Sequence, residues 1–275
     1  MYSLKILTLL FAVLIMTGKS AMAQDSHYLF SGYTSAGFES KDGDHSFVTG
    51  NFAPVFLYSH GDRFLVETEL KIGYGHGGVS TDLEYLNLGY ILNDYFTIRA
   101  GKFLSRFNTY NDRFHAAWIN KMPNDPLGLG HHDLLALPSE FGVELSGGAY
   151  LGGPKINYAF FVSNGLALDV DDHDPAVNID FTKFSNHNNS YAVGGRFGIL
   201  PLDDSSLEIG VGSHYNNKIG EPHTPYEEVS SFSWSADLNY LRQNISWLAG
   251  KIDLRAQMNS MLIDRFHILL DQSKF

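Results

Sequence analysis

The sequence contains no cysteine, which removes two classes of site from consideration. Without thiols the chain has no disulfide framework and no thiolate metal centre. Basic clusters are also lacking, since 19 lysines and arginines stand against 30 aspartates and glutamates for a formal net charge of -11. A nucleic-acid partner needs a dense cationic surface, so this composition argues against nucleic-acid binding.

Long apolar runs are confined to the first residues of the chain. Lys5 precedes an apolar core over residues 6–16, and Ala21-Met22-Ala23 forms a small-x-small cleavage site before Gln24. This pattern predicts a secretory signal peptide over residues 1–23, cleaved after Ala23. A membrane anchor is disfavoured because the core is shorter than the about 17–25 residues that a spanning helix needs. The mature chain is expected to be exported and to enter a membrane only as strands.

A period of two residues organises most of the mature chain, and it is clearest over residues 63–74. Apolar and small side chains occupy one phase and charged side chains the other: Phe64, Val66, Thr68, Leu70 and Ile72 against Glu67, Glu69 and Lys71. Such a strand presents one face to an apolar medium and one to water. About 9–11 tilted residues suffice to cross the apolar layer of a membrane.

Eleven segments of this kind lie between residues 28 and 257. The connections between these segments are alternately short and long. This order is typical of outer-membrane barrels, whereas a soluble β-sandwich has no reason to keep it. The predicted fold is therefore all-β, an antiparallel transmembrane β-barrel of the porin type over residues 24–257. A soluble secreted β-protein stays open as the disfavoured alternative, since the alternation is weak in each single strand.

The end of the chain departs from this pattern. Met258, Met261, Leu262, Arg265 and Phe266 step by three and four, which indicates helical spacing, so residues 258–275 are predicted to form a helical or disordered tail. Eleven is an odd number of strands, whereas bacterial single-chain barrels have an even number. These two observations suggest the hypothesis that the sequence is truncated or frame-shifted after about residue 257.

Two long connections interrupt the strands, at residues 105–139 and 164–190. Around the first, residues 99–104 (Arg-Ala-Gly-Lys-Phe-Leu), 111–115 (Asn-Asp-Arg-Phe-His), 117–121 (Ala-Trp-Ile-Asn-Lys) and 126–128 (Pro-Leu-Gly) resemble, in order, bacterial porins of the phosphate-selective porin O and P superfamily. Residues 52–56 (Phe-Ala-Pro-Val-Phe) and the Glu67/Glu69 strand are similar to the strand pair before that block. The resemblance implies a pore narrowed by an inward-folded loop, here residues 105–139, and a homotrimer.

The candidate working residues are the charges of the polar strand phases and of the long loop. They are Glu67, Glu69, Lys71, Arg99, Glu144, Arg196 and Glu208 on strands, and Arg106, Arg113, Trp118 and Lys121 in the loop. Rings of such charges select ions in a narrow path, whereas the uncharged ring of Trp118 would stack on a passing solute. The plainer interpretation is that the charges pair with one another and that Trp118 pins the loop. Phosphate selectivity is disfavoured because acids are as frequent as bases.

Other chemistry is less well supported by the sequence. Asp169, Asp171, Asp172 and Asp174 with His173 lack the spacing of a calcium loop, and His131-His132-Asp133 lacks a third ligand, so no metal and no cofactor is predicted. No serine lies in a glycine-flanked elbow, and an enzyme is not predicted. The predicted function is passive diffusion of small hydrophilic solutes or ions, anions included, through the outer membrane, with its lipid as partner. A non-conducting structural or adhesin-type barrel, or a non-functional porin fragment, is the alternative.

Overall fold

A computed structural model describes residues 26–41, 44–75, 78–116, 119, 126, 129, 137–170, 177–180, 190–245 and 250–264. Eleven antiparallel strands form one sheet, and a separate two-stranded hairpin lies in the second long connection. The prediction of an all-β chain with eleven barrel strands is therefore confirmed. No helix among these residues has the length and hydropathy that a bilayer-spanning helix requires.

The strands follow one another around the sheet in chain order, apart from the β8–β9 hairpin. Their bounds are β1 Ser26–Lys41, β2 Asp44–His60, β3 Phe64–Gly75, β4 Gly78–Asn93, β5 Phe96–Leu104, β6 Ser139–Tyr150, β7 Lys155–Ser163, β8 Ala167–Val170, β9 Val177–Asp180, β10 Ala192–Leu200, β11 Leu207–Asn216, β12 Ser231–Ile245 and β13 Gly250–Ile263. A five-residue π-helix, Tyr110–Phe114, lies in the first long connection. Up-and-down connectivity of this kind is what barrels use.

Tight turns join the strands at one end of the sheet. Gly61 and Gly152 adopt φ values of +56° and +81°, a backbone region that a glycine enters without steric cost. At the β4–β5 turn, the side-chain oxygen of Asn93 accepts hydrogen bonds from the backbone N–H groups of Tyr95 and Phe96, at 2.9 and 3.1 Å. Local turn chemistry thus helps to set the register of the strands that each turn joins.

Burial on the sheet is inverted relative to a water-soluble protein. In β7, Phe160 and Val162 are 59% and 55% exposed, whereas Ser163 is buried. In β12, Ser233, Ser235 and Asp237 are buried while the alternate residues face outward. Every second side chain is therefore apolar and outward, as the two-residue period predicts. We call the opposite, inward side the polar face.

One boundary predicted from the sequence was wrong. β13 continues to Ile263, so residues 258–263 form strand and not helix or a disordered tail. Met258 and Leu262 lie opposite Ala236 and Phe232 of β12. A spacing of four residues returns to the same face in both a helix and a strand, which is why the spacing misled. Residues 1–23 and 265–275 lie outside the described residues.

A small apolar core lies where the long connections meet. Leu137, Leu166, Leu168, Ile219 and Val229 pack together there, and Met261 of β13 packs against them. The backbone N–H of Leu168 donates to the carbonyl of Ile219, whose own N–H donates to the carbonyl of Val229, at 2.6 and 2.8 Å. The connections therefore form one packed body at this end of the sheet.

Candidate functional site on the polar face

The first part of the long β5–β6 connection lies across the polar face of the sheet. We call residues 105–116 the inner segment. The hydroxyl of Ser235 donates to the carbonyl of Phe107 at 3.3 Å, and the side-chain oxygen of Gln257 accepts from the N–H of Tyr110 at 3.2 Å. Further along, Nη1 of Arg113 donates to Oε2 of Glu208 at 2.6 Å. The segment thus leaves β5 and reaches strands β11, β12 and β13.

Glycines on the polar phase of β10 and β11 provide the room for this arrangement. A Cβ atom at Gly212 would lie 1.9 Å from the carbonyl oxygen of Phe107. At Gly210, a Cβ atom would lie 2.1 Å from the guanidinium of Arg196. Both distances are far below van der Waals contact, so only glycine admits the inner segment and the flat arginine at these positions.

Alternating charges connect the two walls of the sheet through the inner segment. We call this row the charge ladder; its successive members are Glu67, Arg99, Glu144, Arg106, Asp112, Arg113, Glu208, Arg196 and Asp237. The nitrogen-to-oxygen distances range from 2.6 Å, between Arg196 and Asp237, to 3.5 Å, between Arg106 and Glu144. The ladder runs from β3 to β12, and its three middle members belong to the inner segment.

Arg196 is the most completely satisfied member of the ladder. Its Nε and Nη2 atoms donate to the two oxygens of Asp237 at 2.8 and 2.6 Å, which is a bidentate pair. Nη1 donates to the side-chain oxygen of Asn157 at 2.9 Å, and Nη2 also reaches Glu208 at 3.0 Å. Because Arg196 is buried, these bonds are needed to offset the cost of removing its charge from water.

Arg106 and Arg113 carry the ladder across the inner segment. The side chain of Arg106 is 25% exposed and that of Arg113 is 39% exposed. Burial acts to lower the pKa of Arg106, but the carboxylates of Asp112 and Glu144 outweigh it and raise that pKa above its ordinary value. Both arginines are therefore fixed positive charges that a solute on the polar face can reach.

A buried polar cluster anchors the start of the inner segment. The carboxylate of Glu140 accepts from the hydroxyls of Ser105 and Ser163 at 3.0 and 2.6 Å, and Nε2 of His214 lies 3.3 Å from it. Nδ2 of Asn216 lies 3.2 Å from Nδ1 of His214. Since that amide nitrogen is a donor, Nδ1 accepts and Nε2 carries the imidazole proton, on the side of Glu140 but without a hydrogen bond to a described residue.

The wall formed by β3 and β4 carries further charged residues of the polar face. The hydroxyl of Tyr33 donates to Glu69 at 2.9 Å, and Lys71 lies 3.2 Å from Glu84. Lys102 of β5 lies 3.8 Å from Asp82, a residue whose side chain is 58% exposed. This wall therefore places both signs of charge on the polar face.

The structure places eight of the ten predicted pore residues on this face. Six belong to the charge ladder: Glu67, Arg99, Arg106, Arg113, Glu144 and Arg196. Glu69 and Lys71 lie on the β3–β4 wall, and Glu208, also expected from its strand phase, joins the ladder. Trp118 and Lys121 lie outside the described residues.

Sequence reasoning missed the residues whose partners are remote in the chain. Asp237, Glu140 and His214 show no local pattern that singles them out. The glycines of the polar face were a usable signal, because glycines such as Gly210 and Gly212 share the polar phase of one strand. No group of three or more metal-ligating side chains occurs within the described ranges. Residues 131–133 and 171–174 lie outside those ranges.

Comparisons with known proteins concern the fold only. No protein-family model and no curated protein matches the chain. One solved structure that matches is the trimer form of OmpT, an outer membrane protein of Vibrio cholerae that was folded in vitro. It is 11% identical to the chain with a TM-score of 0.41, and the match covers 87% of this chain and 79% of that one. A mutant of OmpT from which loop L8 was deleted matches at 10% identity and a TM-score of 0.37, covering 87% and 82%.

Two predictions from the sequence are corrected at this point. The resemblance to the phosphate-selective porin superfamily gains no support, because no family model matches and the neighbours are other outer membrane proteins. The prediction that the chain is not an enzyme does not stand either. The solved structures that match share no more than a fold with the chain, and one fold hosts many functions, so the strand pattern does not exclude catalysis.

Proposed function

We propose that the chain forms a diffusion pore of the bacterial outer membrane for small hydrophilic solutes and ions. The observation that carries this proposal is the charge ladder, which crosses the polar face through an inner segment seated on glycines. A sheet that turns ionised groups inward and apolar groups outward suits a membrane wall around an aqueous lumen. The inner segment, as part of the 105–139 loop, is the constriction.

The proposed mechanism is exclusion of solutes by size and a bias among ions by charge. The inner segment occupies room inside the sheet, so it limits the cross-section that a solute can use. Fixed charges such as Arg113 and Glu67 then favour the passage of some ions by attraction and hinder others by repulsion. The pairing of these charges keeps the constriction rigid, because each arginine is held by carboxylates from a strand or from the segment itself.

The apolar belt supports the proposed location in outer-membrane lipid. Outward side chains such as Phe160, Val211 and Met258 are 59%, 57% and 62% exposed, which a water-soluble surface would not favour in such number. Export by the predicted signal peptide over residues 1–23 is part of the same proposal. A homotrimer stays a prediction from the resemblance; the trimer form is a property of the Vibrio cholerae protein.

A pore also requires that the two edges of the sheet be paired. Among the described residues, nothing pairs with the outer edges of β1 and β13. Open strand edges do not occur in the hydrocarbon layer. In a sheet of eleven antiparallel strands, the first and the last strand run in the same direction. Direct closure would therefore pair β1 and β13 in parallel. Antiparallel closure would need an odd number of further strands.

The experiment that tests the pore is single-channel recording. The chain without residues 1–23 is refolded in detergent, its heat-modifiable gel mobility is used to establish a folded barrel, and it is added to a planar bilayer. We expect discrete conductance steps. Folded protein that inserts into bilayers without producing steps would contradict the proposal and favour the structural or adhesin-type barrel instead.

A further inference from the structure

Glu69 differs from Glu84 and Asp82 on the same wall, because each of those two carboxylates lies beside a lysine. The carboxylate of Glu69 accepts hydrogen bonds from the hydroxyls of two tyrosines, Tyr33 at 2.9 Å and Tyr85 on the facing strand, and it is only 3% exposed. In the part of the chain that the structure describes, no lysine or arginine forms an ion pair with it, whereas Lys71 pairs with Glu84 and Lys102 with Asp82. The β3–β4 wall therefore carries a negative charge that no ion pair compensates.

A second acceptor on this wall is also unused. Asn87 is 3% exposed, and its side-chain oxygen has no hydrogen-bond partner among the described residues. Asn87 lies directly opposite Glu67 in the β3–β4 register, and Tyr85 lies opposite Glu69. Residues opposed in an antiparallel pair share one face of the sheet, so Glu67, Glu69 and Asn87 form one patch of oxygen acceptors.

Exposure distinguishes two roles within this acceptor patch. The side chain of Glu67 is 34% exposed, and one of its oxygens lies 3.4 Å from Nη2 of Arg99. Glu67 is thus the carboxylate that a solute can touch, while buried Glu69 acts on the solute through its field. A charge in a partly desolvated wall is screened less than one in bulk water, so this field reaches into the lumen.

We propose that the acceptor patch of Glu67, Glu69 and Asn87 binds the ammonium or guanidinium group of a permeating solute and makes the pore prefer cations. This inference rests on the proposed pore function and deepens it. Ammonium and guanidinium groups carry donors only, which matches a patch that offers carboxylate and amide oxygens. Glu67 is the binding residue, Glu69 sets the local charge, and Tyr33 positions Glu69.

Two four-carbon ions of opposite charge, putrescine and succinate, test the preference. In a bilayer under a KCl gradient, the reversal potential should show preferential passage of K⁺, and putrescine but not succinate should block the current. In Glu69→Gln and Glu67→Gln, the Kd for putrescine block should rise roughly fivefold, the effect of one charge about 4 Å away in a water-like medium. Tyr33→Phe keeps the charge and should keep the K⁺ preference.

Glu228→Gln is the matched control, since its side chain is 77% exposed in the β11–β12 connection and away from this wall. Channels that conduct but prefer chloride, or a Glu69→Gln variant with unchanged selectivity, would overturn the inference while the pore proposal survives. If the folded chain does not conduct, putrescine binding in detergent is measured by calorimetry. Binding that weakens in both glutamine variants supports the patch, and no binding to the unmodified chain overturns it.

Discussion

At the scale of single residues, glycine decides how closely the inner segment approaches the wall. Replacement of Gly212 by alanine would place a Cβ atom 1.9 Å from the carbonyl oxygen of Phe107, so the backbone of the segment must shift. We expect Gly212→Ala to produce a larger single-channel conductance, because the displaced segment obstructs less of the lumen. Gly89→Ala is the control, since its nearest neighbour would be a side-chain atom of Leu65 at an ordinary 3.4 Å. Equal conductance in both variants would contradict the assignment of a constriction.

Arg196 provides a second prediction at this scale. Its replacement by glutamine leaves Glu208 without its strand-borne arginine and Asp237 without its bidentate partner, and Asp237 is buried. Removing one partner of a buried ion pair costs about 3–5 kcal/mol, so the urea midpoint for unfolding from lipid vesicles should fall clearly. Asp253→Asn breaks an exposed pair with Arg255 and should cost at most about 1 kcal/mol, while it leaves the stacking of Arg255 on Phe114 in place. Similar losses in the two variants would show that burial does not govern the ladder.

At the scale of elements, the inner segment is held at both ends, and Arg113 is its far attachment. Arg113→Gln removes the contact of 2.6 Å with Glu208 but leaves the anchor of Ser105 on Glu140 in place. We expect the freed end to move, which would appear as greater current noise in the open channel. Lys155→Gln, which alters a contact with Ser205 in a turn, is the control. Quiet channels in Arg113→Gln would mean that the salt bridge does not restrain the segment.

The strands were predictable from the sequence because each depends on a period that is local. Phe232, Ser233 and Trp234 already alternate in the chain, and the structure keeps that alternation. The path of the inner segment was inferred only by resemblance, because it depends on glycines more than ninety residues away. The cluster of Glu140 and His214 could not be predicted, since its members meet only when β6, β7, β10 and β11 pair in that order.

The failed boundary at residue 257 has the same physical origin. Apolar residues four positions apart satisfy both a helix and a strand, and only the partner strand decides between them. Ala236 and Phe232 of β12 supply that partner for Met258 and Leu262. Where the local spacing fits both a helix and a strand, pairing with a neighbouring strand determines which of the two forms. The isolated segment carries no feature that reveals this outcome.

At the scale of the whole molecule, the inverted burial predicts that insertion depends on the outward face. Phe160 lies near the middle of β7 and is 59% exposed, although the neighbouring residues Ala159 and Phe161 are buried. Arginine at this position would face lipid, where it costs about 2–4 kcal/mol near the bilayer midplane. We expect Phe160→Arg to insert into vesicles less efficiently, as measured by the fraction that gains the heat-modifiable form.

The control for this variant separates charge from loss of the ring. Phe160→Leu keeps an apolar side chain and should insert as well as the unchanged protein. Asn157→Gln alters the polar face of the same strand, next to Arg196 and Glu208, and should affect conductance or stability but not the apolar surface presented to lipid. If Phe160→Arg inserted as well as Phe160→Leu, the outward side chains would not face hydrocarbon. The polar face would then have no lumen to line, because only an apolar surround makes an inward row of charges into the wall of a pore.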